Sequence, residues 1–216
     1  MSENTGNGRP AVAAPRLVLA TRNAGKLREL RELLRGQVPG LDVDTQVIDA
    51  ATAGAPDVVE SGTTFEAKSL LKARAVAAAT GLVAVADDSG LAVDVLGGAP
   101  GIFSARWAGR HGDDEANLQL LLAQLADIPG AQRGASFVCA ATVALPDGTA
   151  QVALGELRGS LLNEPRGAGG FGYDPILQPA GREESCAELS SEEKNSISHR
   201  AKAFKALLPH LIEALR

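Results

Sequence analysis

The chain has 216 residues, 45% of them hydrophobic and 22% charged, with mean hydropathy +0.02, which supplies one apolar core and excludes general disorder. A chain of this size buries roughly 70% of the surface its unfolded form exposes and needs no disulfide or structural metal. Its two cysteines, Cys139 and Cys186, lack any C-x-x-C or Cys/His spacing, which excludes a zinc module or secreted disulfide scaffold and reads as two plain thiols in a reducing compartment. A net charge of −5, with no run of five like charges, excludes a nucleic acid polymer as partner, so any bound anion is small.

Residues 1–15 are polar and rich in Gly and Pro, and they lack the apolar stretch of a signal peptide. They read as a disordered N-terminal extension to a single domain over 16–216. No apolar run approaches the ~20 residues of a membrane span, so a cytoplasmic protein without a membrane role is expected.

Arg16 to Ala20 predicts a strand, and Leu27, Leu30, Leu33 and Leu34 then form one stripe of a helix. Leu41 to Val47 alternates like a second strand. A loop over 49–62 leads to a long helix that opens at Thr63 and ends at Gly81. Leu82 to Ala86 predicts a buried strand delivering Asp87 and Asp88, with Ser89-Gly90 as a turn and Leu91 to Val95 as a further short strand. Gly97 to Gly101 is too rich in glycine for a regular element. Asp113 caps a helix carrying Leu118, Leu121, Leu122 and Leu125. Runs over 135–145 and 150–162 flank Pro146-Asp147-Gly148, a hairpin signal. A glycine-rich loop follows over 163–175, Ser190 and Glu193 form a capping box, and the last helix starts at Ser198 with Pro209 expected to kink it. Helices interleaved with strands predict an α/β fold with a mixed sheet.

Four places carry residues suited to chemistry. The loop Thr21-Arg22-Asn23-Ala24-Gly25-Lys26 joins a strand to a helix N-terminus, where backbone N–H groups and Lys26 suit a phosphate, although an ordinary capped helix start has the same form. It is not a P-loop, because Ala20 and Leu27 stand where the Walker pattern needs Gly and Ser or Thr. Adjacent carboxylates at Asp87 and Asp88 repel unless a cation compensates, and Mg²⁺ takes one or two carboxylates together with substrate phosphates. A turn whose Asp side chains cap backbone N–H groups accounts for the same residues. Of seven aromatic residues, Phe103, Trp107, Phe171 and Tyr173 lie in glycine-rich connections. Phe103 and Trp107 suit a satellite core, whereas Phe171 suits stacking on a nucleobase. Lys194, Ser198, His199 and Arg200 cluster where two helices meet, as ligand contacts or as a solvated face. His111 and His210 read as surface residues.

Taken together, Leu19-Ala-Thr-Arg-Asn-Ala-Gly-Lys26, Ala86-Asp-Asp-Ser-Gly-Leu-Ala-Val-Asp94, Leu96-Gly-Gly-Ala-Pro-Gly-Ile-Phe-Ser-Ala-Arg106, Gly169-Gly-Phe-Gly-Tyr-Asp-Pro175 and Ser198-His-Arg200 closely resemble the inosine triphosphate pyrophosphatase family. The resemblance runs from about Arg16 to the C-terminus. It implies a two-lobed fold with a long central mixed sheet flanked by helices, an active-site cleft between lobes and a homodimer. It also implies Mg²⁺-dependent cleavage of dITP, ITP or XTP to monophosphate and pyrophosphate. By motif, residues 21 to 26 would hold the triphosphate, and Asp88 would be proton acceptor and metal ligand. Ser89, Phe171, Gly172, Tyr173, Asp174, Lys194, His199 and Arg200 would contact substrate. Glu60 would assist the metal, and Lys72 would face the phosphates. One departure stands out. Where the family commonly has Glu-Asn after its Thr-Phe step, this chain has Ala67-Lys68. Two other readings compete, a Maf-type pyrophosphatase acting on other modified bases and a nucleotide-binding module without turnover. The Phe171 loop with Ser198-His199-Arg200 disfavours the first, and an acidic pair facing a polyanion disfavours the second.

Overall fold

The computed structural model describes residues 13–21 and 24–216. Their strands are β1 (Leu17–Leu19), β2 (Val47–Asp49), β3 (Val83–Val93), β4 (Gly134–Ala144), β5 (Ala150–Leu161) and β6 (Leu177–Pro179). They form one sheet in the order β2-β1-β3-β4-β5-β6. β1 runs parallel to β2 and β3, and the pairs from β3 onward are antiparallel, so the sheet is mixed. The helices are α1 (Ala24–Leu34), α2 (Val43–Gln46), α3 (Phe65–Thr80), α4 (Asp114–Gln124), α5 (Ser191–Ile197) and α6 (His199–Ala214).

Strand alternation divides the interior. Val85 in β3 and Cys139, Ala141 and Val143 in β4 face one side, where they pack with Leu30 and Leu34 of α1 and Phe204, Leu207 and Leu211 of α6. Ala84 and Ala86 face the other, against Ala73, Val76 and Ala77 of α3. Farther along, Leu91 and Val93 join Leu118, Leu121 and Leu125 of α4 in a third cluster that includes Tyr173. Both cysteines are buried and free, and burial first of all pushes each thiol up to about 12, so they are inert apolar fillers.

The helix ends follow their caps. Thr64 accepts from Ala67 N–H and Gly81 closes α3 in the left-handed conformation. Ser190 and Glu193 complete the capping box of α5, and Ser198 caps α6, which continues through Pro209 to Ala214. Gly155 lets α6 approach the sheet, since a Cβ there would lie 2.1 Å from the His199 carbonyl oxygen and 2.4 Å from Ala203 N. Backbone cannot yield as a flexible side chain can. Gly155→Ala should therefore destabilise the protein by ~1–3 kcal/mol through overpacking, checked by urea unfolding, and an unchanged midpoint would show that α6 can shift without cost.

Three sequence expectations are corrected. Leu41 to Val47 is not a strand, because Asp42 accepts from Asp44 N–H and caps the single turn α2, leaving β2 to start at Val47. Ser89-Gly90 is not a turn, and Leu91 to Val95 is not a separate strand, for β3 is continuous through both to Val93. The glycine at 90 serves packing instead: a Cβ would lie 2.5 Å from the Gly101 carbonyl oxygen and 2.6 Å from Ser104 Oγ. These atoms belong to a 3₁₀ helix, Gly101–Arg106, laid against the strand.

Candidate active site

On its β3 side, β1 pairs with Val83 to Val85, and the next bridge described on that edge of β3 joins Ala92 to Pro100. Between them, among the described residues, the edge of β3 around Asp87 and Asp88 has no strand partner, beyond the carboxyl end of β1, which is where open α/β sheets place ligands. A cavity of about 690 Å³ lies there. Its walls include Thr21 and Lys26 from the β1–α1 segment, Asp87, Asp88 and Ser89 from β3, and Glu60 from the segment before α3. Phe171, Gly172, Tyr173 and Asp174 line it too, together with Lys194, His199 and Arg200. Thus almost all of the residues singled out in the sequence meet in one cavity. Ala24 and Gly25 begin α1 beside it, while Arg22 and Asn23 lie outside the described residues.

The acidic pair does not behave as two neighbouring charges. Consecutive residues of a strand point to opposite faces, and Asp87 and Asp88 accordingly meet different cations. Asp87, nearly fully buried, accepts from Lys26 Nζ at 3.0 and 2.9 Å and from Arg200 Nε and Nη2 at 3.3 and 3.2 Å. Burial works to raise this carboxyl, but Lys26 and Arg200 overcome it and hold it well below the usual carboxylate range. Arg200 also donates to Glu29 at 2.7 Å, so its guanidinium is turned to two carboxylates.

Asp88 meets the lysines of α3. Lys72 Nζ lies 3.1 Å from Asp88 Oδ1 and donates to the Asp87 carbonyl at 2.8 Å, while Lys68 Nζ lies 3.5 Å from Asp88 Oδ2. Glu60 shares both lysines, at 2.8 Å from Lys68 and 3.3 Å from Lys72. Burial works to raise the Glu60 carboxyl, and the hydrogen bond from Lys68 with the charge of Lys72 lowers it overall. Among the described residues no group of three or more His, Cys, Asp or Glu is placed to hold a metal. Two carboxylates that converge on the same cations nevertheless fit Mg²⁺, which draws its remaining ligands from substrate phosphates and water.

The Phe171 loop is tied down from several sides. Asp174 accepts from Phe171 N–H at 2.8 Å and from Lys194 Nζ at 2.6 Å, Asp114 accepts from Gly172 N–H at 2.9 Å, and Tyr173 O–H donates to the Ser104 carbonyl at 2.9 Å. Phe171 itself stays 61% exposed, with Lys194 Nζ 5.2 Å from its ring centre, while Trp107 packs against the core. His199 stacks on Phe137 with ring centres 5.1 Å apart, and its buried Nδ1 has no hydrogen-bond partner among the described residues. Burial, and then the charges of Arg200 and Lys194, push its imidazole down to about 3, so the ring is neutral near pH 7.

Residues 17–210 match the Ham1 family. The chain belongs to this family. Among its relatives, the dITP/XTP pyrophosphatase of Streptomyces coelicolor is 64% identical over 200 residues, covering 93% of this chain and 98% of that protein. A solved HAM1 protein from Coxiella burnetii matches with TM-score 0.83 and 39% identity, over 93% of this chain and 100% of that one. The structure of a nucleoside-triphosphatase, or dITP/XTP pyrophosphatase, from Mycobacterium abscessus matches with TM-score 0.75 and 47% identity, over 90% and 99%. The α/β fold with its mixed sheet flanked by helices is that of the Ham1 structures. Among the described residues no helix is long and apolar enough to cross a membrane.

Several residues of this Ham1 cavity are not marked by the sequence motifs. Lys68 stands out in the sequence only as part of the Ala67-Lys68 departure, and nothing marks Glu29 or Asp114, the latter one more acid in a helix first turn. Only tertiary structure gives each its partner. His111 is exposed, as expected, but lines the cavity.

Proposed function

We propose that this chain hydrolyses non-standard purine nucleoside triphosphates, dITP, ITP and XTP, to the monophosphate and pyrophosphate, with Mg²⁺ as cofactor. The observation that carries this reading is the single cavity that joins a phosphate-suited helix start with Lys26 and Lys72, the carboxylates of Asp88 and Glu60, and an exposed aromatic ring. The names of the Ham1 relatives agree with it.

In this reading the first-turn N–H groups of α1, with Lys26 and Lys72, hold the triphosphate. Asp88 accepts the proton of the attacking water, oxygen bonds to the α-phosphorus, and the bond to the bridging oxygen breaks, so that pyrophosphate leaves. Asp88 and Glu60 would hold Mg²⁺, which would supply charge neutralisation at the phosphate oxygens. Asp87 is locked by Lys26 and Arg200 and serves to fix those cations. The base stacks on Phe171, and the first-turn N–H groups of α6 with Lys194 meet its 6-oxo acceptor. Adenine offers a 6-amino donor there and is opposed. His199 is suited to a substrate polar group through its partnerless Nδ1.

The deciding experiment is product analysis with dITP and Mg²⁺. One pyrophosphate per dIMP is expected, and stepwise release of orthophosphate would overturn the reading. Phe171→Ala should raise KM for dITP by ~5- to 150-fold, the ~1–3 kcal/mol of one base–aromatic stack. Unchanged KM in steady-state assays would place the base elsewhere. The homodimer implied by the family resemblance is part of the same proposal, checked by light scattering.

A further inference from the structure

Lys68 and Lys72 stand one helical turn apart on α3 and close a ring of four charges with Glu60 and Asp88. Each carboxylate gives one oxygen to each ammonium, Glu60 Oε2 and Asp88 Oδ2 to Lys68, Glu60 Oε1 and Asp88 Oδ1 to Lys72. The two lysines are not equivalent. Lys72 is also anchored by the Asp87 carbonyl. Among the described residues the ammonium of Lys68 touches only the two carboxylates, and the residue is 4% exposed.

Burying an ammonium so completely is costly unless opposite charge surrounds it, and here the surrounding charge is the pair of carboxylates suited to Mg²⁺. The backbone holds this arrangement in place. A Cβ on Gly62 would lie 2.7 Å from Lys68 N and 2.9 Å from Lys68 Cγ, so the segment carrying Glu60 rides directly on the first turn of α3. A divalent ion entering between Glu60 and Asp88 meets a positive charge already in position, at a separation where unit charges interact strongly even in a moderately polar medium.

We propose that Lys68 is a tethered cation that competes with the divalent ion for Glu60 and Asp88 and so sets the metal concentration the site requires. The proposal rests on the reading of those two carboxylates as the metal-holding pair. Lys68 is a positioning residue here, acting through the carboxylates. Nucleotide phosphates entering the cavity give its ammonium an alternative partner, so metal and substrate should bind the parent protein with mutual reinforcement.

Mn²⁺ binding to the free, full-length protein, followed by electron paramagnetic resonance, tests this without reference to turnover. Lys68→Met keeps the volume and removes the charge, and should tighten Mn²⁺ binding by about tenfold or more, whereas Lys68→Arg should stay within about twofold of the parent. Adding Asp88→Asn to Lys68→Met should abolish the gain. Mg²⁺ should also raise the melting temperature of Lys68→Met more than that of the parent. If Lys68→Met does not fold, Lys68→Gln makes the same comparison with a polar tip. Equal or weaker Mn²⁺ binding in the uncharged variant, including no binding to either protein, overturns the proposal. Product analysis separates the two readings. Pyrophosphate release with no gain in Mn²⁺ affinity leaves the catalytic reading standing alone. A gain accompanied by orthophosphate release leaves only the metal competition.

Discussion

Replacing Asp88 by Asn should lower the turnover of dITP by ~10²- to 10⁴-fold, the contribution of a positioned general base, with a much smaller change in KM. Asparagine preserves the shape of the side chain but cannot take a proton from water. It also turns an amide N–H₂ toward Lys72 or Lys68, donor against donor, where the carboxylate now accepts. Asp87 cannot replace it, because both of its oxygens are engaged by Lys26, with Arg200 on one of them. Steady-state kinetics at saturating Mg²⁺ decides the matter, with a melting curve of the same preparation to show that the fold is kept. Near-parental kcat would move the proton acceptor to Glu60, which shares the same two lysines.

Much of this arrangement is legible in the residues themselves. The Gly81 stop, the Ser190 and Glu193 box and the leucine stripes locate the major helices, because each is a local device with a short-range signature, although the helix expected to open at Thr63 starts at Phe65 behind a Thr64 cap. The motif residues of the β1–α1 segment, the Phe171 loop and the α5–α6 junction stand at or between element ends and converge on one cavity with Asp87 and Asp88, which lie mid-strand in β3. What the sequence conceals is decided at long range. Ser89-Gly90 has the composition of a turn, yet the missing side chain at 90 admits a 3₁₀ helix that starts eleven residues farther along the chain. Asp87 and Asp88 look like mutually repelling neighbours, and the pleat of β3 sends them to separate sets of cations. The alternation over 41–47 suits a strand equally well, until the Asp42 side chain is seen to bond the N–H of Asp44. β6 is three residues long at an edge, too short for any period to show. Arg200 is adjacent in sequence to His199, which stacks on Phe137, but its guanidinium reaches Asp87 and Glu29.

The burial of Asp87 carries the second large expectation, on stability. A carboxylate taken out of water survives only through its partners, and removing one side of such a pair typically costs ~3–5 kcal/mol because the remaining charges are left buried. For a chain of this size that corresponds to a loss of roughly 6–20 °C in Tm for Asp87→Asn at pH 7. The pH dependence identifies the cause. Lys26 and Arg200 hold the folded-state carboxyl below its unfolded value, which is about 3.9. Its stabilising contribution is therefore complete above about pH 4 and is lost as pH falls from there through the folded-state value. The gap between parent and Asp87→Asn should stay constant from pH 7 to 5 and narrow below pH 4, as seen by urea unfolding at each pH. A gap that persists unchanged to pH 3 would mean that the asparagine fails for reasons of packing, and that the charge on Asp87 does not hold Lys26 and Arg200 in place. If the gap narrows, the charge on Asp87 is what holds Lys26 and Arg200 in place on one face of β3, while Asp88 on the opposite face meets Lys68 and Lys72.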